Sequence, residues 1–392
     1  MSFVGGRSES LLGAVRTAFD PYPTSMPSGR GASLVTARET SSGLRGVANG
    51  SCAEGDEREG AIVIKTRFAA IFFAMTLGIC LMPQASDAQR PRKIPRVAFF
   101  TFDCTDKTTT WQAFENGLRE GGYKIGQNIA VDCRSFSPER DDLVREIARN
   151  LVRENVDVIV TPGTQVTLAV KQETNSIPIV MVAVGDPVGV GLVASLARPG
   201  GNITGLSNMM PDVAGKRLEI LKEIAPDATR IAILFNPANA GNVLDVKATE
   251  AAARAMGLTT HSLEVRAPSD SVDAFSSMTR ERDNALFVSS DPLISRYQQQ
   301  IVALAAENKI PAIYAHSNFP KVGGLMAYAT DLESLFVRAG SYVAEILKGA
   351  KPADMPVEQP HKFRLIINLK TAKALGLKIP ESFLLRADEV VE

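Results

Sequence analysis

Polar side chains able to hold a small charged solute stand in this chain where short apolar runs end. Thr161-Pro-Gly-Thr164 closes one such run and opens a helical pattern. The Thr164 hydroxyl and the first backbone N–H groups, from Gly163 onward, can therefore face an anion with a helix dipole behind them. Ordinary capping asks for the same residue types. Asp186 in Val-Gly-Asp-Pro and Asp291 in Ser-Ser-Asp-Pro each follow a strand pattern and can pair with an ammonium group. Such a charge-assisted bond contributes roughly 1.5 to 3 kcal/mol, although Asp before Pro also starts turns. Removing Asp291 is then expected to weaken binding and to leave stability nearly intact. Asn236 and Asn239, in Asn-Pro-Ala-Asn, can donate and accept or simply shape a turn. Thr101 and Phe102 end the first apolar run, and Phe102 with Tyr314 or Tyr328 can offer an apolar face to a ring, or fill a core. His316 and Ser317 end a later run, in the second set of strands, and are candidates to point into the same cleft. A carboxylate held at one end and an ammonium at the other would clamp an amino acid.

The elements that must carry these groups are legible as alternating patterns. Strands are expected at 96–102, 128–133, 156–162, 177–184 and 202–207, separated by helical spacing at 108–120, 140–154 and 164–173. The same architecture is then repeated. Strands at 230–236, 258–265, 285–289 and 311–315 interleave with helices at 213–224, 240–256, 272–282 and 294–308. Strands joined through helices run parallel, and open α/β sheets bind ligands at the C-terminal ends of their strands. Two such sheets facing each other make a cleft. The last third adds a strand-like 324–330, a helix at 332–347 and a final piece at 357–368. The expected organisation is an N-terminal lobe of 94–208 plus 324–350 and a C-terminal lobe of 209–317 plus 351–392, with crossings near 208–212, 318–323 and 348–352.

Lys65 to Ala88 reads as a bacterial secretory signal: Lys65 and Arg67, then an apolar run from Phe68 to Met82, then small residues Ser86 and Ala88 at the −3 and −1 positions. Signal peptide bounds of 63–88 and cleavage after Ala88 are expected. Residues 1–62, rich in Gly, Ser and Arg, are either a disordered extension or lie upstream of a true start at Val63. Cys80 follows Ile79 rather than a small residue, which argues against lipidation. An exported chain meets no pool of ATP or NAD, so export favours a binder of small solutes in the periplasm. Lys plus Arg and Asp plus Glu balance at 43 each, which gives no global pull toward nucleic acid or an anionic membrane. The chain has no Gly-x-Ser-x-Gly, no His-Glu-x-x-His, no metal-ligand spacing and no Gly-x-Gly-x-x-Gly after its first strand. An enzyme, a cofactor and a metal are therefore not expected. Cys104 and Cys133, beside the first two strands, can form a disulfide or remain thiols.

The stretch Ile177-Pro-Ile-Val-Met-Val-Ala-Val-Gly-Asp-Pro-Val-Gly189, continued from Gly191 to Ser207, resembles the ABC-transporter substrate-binding family that includes tryptophan and phenylalanine binders. Thr161–Thr164, Leu234–Asn239, Gly323–Tyr328 and Ile346–Asp354 match as well, so the resemblance runs from about Arg96 to Val391. It implies an α/β protein of type I periplasmic-binding-protein fold, two doubly wound parallel-sheet lobes joined by a three-segment hinge. It also implies a monomer that hands a solute, an amino acid of aromatic or apolar kind, to a membrane permease and its ATPase. Gly163 and Thr164 then face the ligand, and Asp291 matches an acidic position of the amino-acid binders. An aromatic carboxylate or other organic acid as ligand, or a sensory role, are the alternatives. A sugar-responsive repressor shares the fold but needs a DNA-binding helix pair where this chain has an export signal.

Overall fold

The three inner strands of the first sheet owe their form to runs of apolar residues buried on both faces, which is the signature of parallel strands covered by helices. The computed structural model describes residues 93–392 apart from 103, 105–107 and 139; the expected leader and secretory signal lie outside the described residues. In chain order the elements are β1 (Arg96–Thr101), α1 (Thr109–Glu120), β2 (Ala130–Ser135), α2 (Asp141–Arg153), β3 (Val158–Pro162), α3 (Gly163–Lys171), β4 (Ile179–Val184) and β5 (Ile203–Ser207). Their order in the sheet is β2-β1-β3-β4-β5, all parallel.

The chain continues with α4 (Ala214–Ile224), β6 (Arg230–Phe235), α5 (Ala240–Ala255), β7 (Thr259–Glu264), α6 (Pro268–Glu281), β8 (Ala285–Val288), α7 (Pro292–Arg296), α8 (Gln298–Glu307), β9 (Ala312–Tyr314) and β10 (Met326–Thr330). It ends with α9 (Leu332–Leu347), β11 (Phe363–Asn368), α10 (Leu369–Ala374), α11 (Glu381–Leu384) and β12 (Glu389–Val391). The second sheet has the order β12-β11-β10-β9-β8-β6-β7 and is parallel except where β11 runs against β10.

Each sheet lies between two helical layers. On one face of the first sheet, Phe114 and Leu118 of α1 and Leu335, Ala339 and Val343 of α9 share a core with Val97 and Phe99. Val144, Ala148 and Leu151 of α2 and Val166 and Val170 of α3 cover the other face. The second sheet is covered by Leu218, Leu221 and Ile224 of α4 with Val246 of α5, and opposite them by Phe275 and Met278 of α6 with Ile301 and Val302 of α8. Helices α1 and α9 approach unusually closely because Gly117 and Gly340 face each other's backbone. A Cβ on Gly117 would strike the Val337 carbonyl and one on Gly340 the Phe114 carbonyl.

The chain passes between lobes three times, and two of the crossings differ from the expected positions. The first leaves β5 and reaches α4 through 208–213. The second falls at Asp331, not at 318–323, because β10 is a member of the second sheet: Met326 registers with Ile313 of β9 and Ile367 of β11. Segment 324–350 therefore divides, its strand in the second lobe and its helix in the first. The third crossing follows Glu358, not Lys348–Pro352. Glu358 N–H donates to the Gly205 carbonyl and Ser207 N–H to the Glu358 carbonyl, both at 2.9 Å, so this stretch adds to the edge of the first sheet. Arg338 fixes it there with a bidentate pair to the Glu358 carboxylate at 2.8–3.0 Å, which holds that carboxyl below its usual range. The helix expected at 294–308 breaks at Tyr297 into α7 and α8, and the elements after Asn368 were not anticipated.

Cys104 and Cys133 form a disulfide with Cα atoms 5.9 Å apart, tying the segment after β1 to β2. Among the described residues no helix is long and apolar enough to cross a membrane.

Candidate functional site

A cavity of about 610 Å3 opens between the C-terminal ends of the two sheets, a size ordinary for small-ligand sites. One wall is built by the ends of β1 and β3. Thr101 and Phe102 line it, and Phe102 remains 49% exposed while packing against Phe136 with ring centroids 4.8 Å apart. Gly163 and Thr164 line it at the start of α3. Pro162 occupies the N-cap and no side chain caps this helix, so its first turn keeps its donors for the cavity. Gly163 takes a φ of +72°, a left-handed conformation that suits glycine. Among the described residues nothing hydrogen-bonds the Thr164 hydroxyl.

The opposite wall comes from β6, β8 and β9. Asp291, 2% exposed, caps α7 and lines the cavity. Its Oδ1 accepts from the backbone N–H of Leu293 at 2.8 Å and of Ile294 at 3.4 Å. Its Oδ2 accepts from Asn239 Nδ2 at 2.7 Å, and Asn236 Nδ2 straddles both oxygens at 3.3 and 3.4 Å. Every donor is neutral. Burial pushes the Asp291 carboxyl above its ordinary range, with the two asparagine amides opposing that shift. His316 lines the same wall, and Asn318 N–H donates to its Nδ1 at 3.3 Å, which leaves the ring proton on Nε2. Desolvation lowers its pKa to about 4, so the imidazole is neutral at pH 7.

The lobes touch around this space. A Cβ on Gly241, at the start of α5, would lie 2.6 Å from Thr164 Oγ1, and one on Gly163 would lie 3.7 Å from Pro292. Arg296 reaches Ser137 of the first lobe at 3.4 Å.

Of the residues expected from sequence, Thr101, Phe102, Gly163, Thr164, Asn239, Asp291, His316 and Ser317 come together on the cavity. Four others do not. Asp186 accepts from Gly189 N–H at 2.8 Å and closes a turn beside the cleft, the ordinary use of Asp before Pro. Asn236 is buried beneath the wall, where it steadies Asp291 and turns back on Ala238 N–H at 3.0 Å. Tyr314 is buried and stacks on Phe319 at 4.4 Å, and Tyr328 stacks on Phe363 at 5.5 Å. Periodicity cannot tell which side of a strand end faces a cleft that a second sheet creates.

Lining residues that sequence reasoning missed include Ala183, Asn208, Asp331 and Phe336. Ala183 holds a φ of +59° at a register shift in β4, strain for which its residue type gives no signal. Asn208 and Asp331 stand at strand ends, the same signal that marks Asp291.

Two α/β lobes that face each other with their strand C-termini, joined by three crossings, define a type I periplasmic-binding-protein fold. The chain belongs to the family described as ABC transporter substrate binding protein, whose model matches residues 97–391. It is 32% identical over 269 residues to the tyrosine-binding protein of Clostridioides difficile strain R20291, covering 68% of this chain and 76% of that one. A conserved domain protein from Vibrio cholerae superposes with a TM-score of 0.71 at 30% identity, covering 76% of this chain and 100% of its own. The ABC domain from Streptococcus pneumonia, solved in complex with L-Trp, gives a TM-score of 0.71 at 29% identity and covers 76% and 99%.

Proposed function

We propose that this protein is the exported, monomeric solute-binding component of an ABC importer. It captures an aromatic or apolar amino acid in the interlobe cleft and delivers it to a membrane permease with its ATPase. The observation that carries this reading is the chemical asymmetry of the cavity. One wall presents the uncapped N-terminus of α3 at Gly163 and Thr164, fit for a carboxylate. The other presents Asp291, a buried carboxylate with only neutral donors, fit to oppose an ammonium. Phe102 and Phe336 add apolar surface, while Thr101, Asn239 and the neutral His316 offer hydroxyl, amide and Nε2–H groups for orientation. The tyrosine and L-Trp attached to the names of its relatives support the ligand class.

No covalent step is needed. A ligand that bridges the walls binds the closed form better than the open one and shifts the population toward it. A thermal-shift screen of the purified protein against amino acids, aromatic carboxylates and sugars tests the reading. An aromatic or apolar amino acid should give the largest rise in melting temperature, since a ligand held only by the native state stabilises it. A des-amino aromatic acid as the strongest hit would move the ligand class to organic acids; a sugar as sole hit would overturn the amino-acid reading.

A further inference from the structure

We infer that Asp331, with the amide of Asn208 beside it, recognises the ligand's ammonium group, an assignment that rests on the amino-acid reading and adds a contact on the hinge itself. Neither residue belongs to a lobe. Asn208 follows β5 on the first crossing, and Asp331 is the second crossing, between β10 and α9. The two crossings are bound together there, because the Thr330 hydroxyl donates to the Asn208 carbonyl at 3.1 Å.

Both side chains line the cavity, and among the described residues no donor reaches the Asp331 carboxylate or Asn208 Oδ1. Asp331 occupies the N-cap of α9 yet caps nothing with its side chain, and among the described residues none hydrogen-bonds or ion-pairs with its carboxylate. Asn208 is only 5% exposed, and its Oδ1 is buried without a partner. Buried acceptors are nearly always supplied with a donor, so the unsupplied Asn208 Oδ1, with the half-buried Asp331 carboxylate on the same cavity, marks a place where something else donates.

Of the other charges that line the cavity, Glu333 is an exposed carboxylate in the first turn of α9, and Arg296 reaches across to Ser137. Asp291 keeps its negative charge at the opposite wall, but its oxygens already accept from four donors of the second lobe, so it draws an ammonium into the cleft while Asp331 has acceptor positions open to it. Arg364 and Lys321 both turn to Glu389, at 2.8 and 3.7 Å. Asp331 is thus an anionic group of the cleft to which the described residues bring no counter-charge, and an ammonium supplies charge and several N–H donors at once. Its position on a crossing gives the contact a second consequence. A ligand amine that holds Asp331 and Asn208 ties together the segments about which the lobes turn, so amine recognition and closure are coupled.

The test is calorimetry on wild type and Asp331→Asn with L-tyrosine and L-tryptophan, each beside its des-amino counterpart, 3-(4-hydroxyphenyl)propanoate or indole-3-propanoate. The substitution should weaken amino-acid binding roughly 10- to 100-fold and bring it toward that of the des-amino acids. The melting temperature should hold, because asparagine serves as well as aspartate at an N-cap. Asn208→Ala is the independent variant and should show the same selective loss. Undiminished amino-acid affinity in both variants, or equal losses for both ligand classes, overturns the assignment. Wild-type protein that binds neither of these, nor any amino acid of the thermal-shift screen, is a different failure, visible before any variant is made, and takes the amino-acid reading down with the assignment.

Discussion

Replacing Asp291 by alanine removes an acceptor shared by the backbone of Leu293 and Ile294 and the amides of Asn236 and Asn239. The loss of the cap alone costs about 1 kcal/mol, and two buried amides left without an acceptor add to it. Asp291→Ala should therefore lower unfolding free energy by about 2 kcal/mol or more, read by urea titration. A cleft residue that met only ligand would leave stability untouched, the outcome expected from sequence. Asp-Pro after a strand marks a polar end, but nothing in the dipeptide reveals the two asparagines that another strand end brings beneath it. Asp186, in the same local context, shows the other outcome: without such neighbours it stays a turn.

Elements were more legible than their partnerships. Most strands and helices follow the apolar periodicity to within a few residues, because burial on one stripe or both faces is written locally. Which sheet a short strand joins is not. The sequence Met326–Thr330 fits either lobe, and only its pairing with β9 and β11 assigns it to the second. Helix α6 was read as starting at Val272, although Pro268 supplies the favoured first-turn residue and Asp270 closes back on Ala267 N–H at 3.0 Å. The cysteine pair is a case where local reading left two outcomes and strand adjacency decided: β1 lies beside β2, in register from Arg96 with Ala130 to Thr101 with Ser135. The disulfide closes a loop of sequence separation 29, worth about 3 kcal/mol through the unfolded chain. Cys104→Ser should lower the melting temperature accordingly, measured by calorimetry against untreated and reductant-treated wild type. Affinity should fall with it, since Phe102 and Thr108 flank Cys104 and line the cavity. A melting temperature indifferent to both treatments would mean that the bond contributes nothing.

At the scale of the whole molecule, the twofold repetition of strand and helix made the cleft legible, and the family relationship fixed its type. The hinge was legible only as a number of crossings. Two of the three lie elsewhere than the glycine- and proline-rich stretches suggested, because those stretches serve turns inside a lobe while Asp331 and the segment after Glu358 carry the chain across. The lobes are proposed to close on one amino acid and to release it unchanged. Titration calorimetry with L-tyrosine, L-tryptophan and L-phenylalanine, followed by mass analysis of the recovered ligand, tests it most directly. At least one of them should bind saturably, one molecule per chain, and be recovered intact; no binding of any amino acid, or recovery of a converted product, would mean that the lobes do not work in this way.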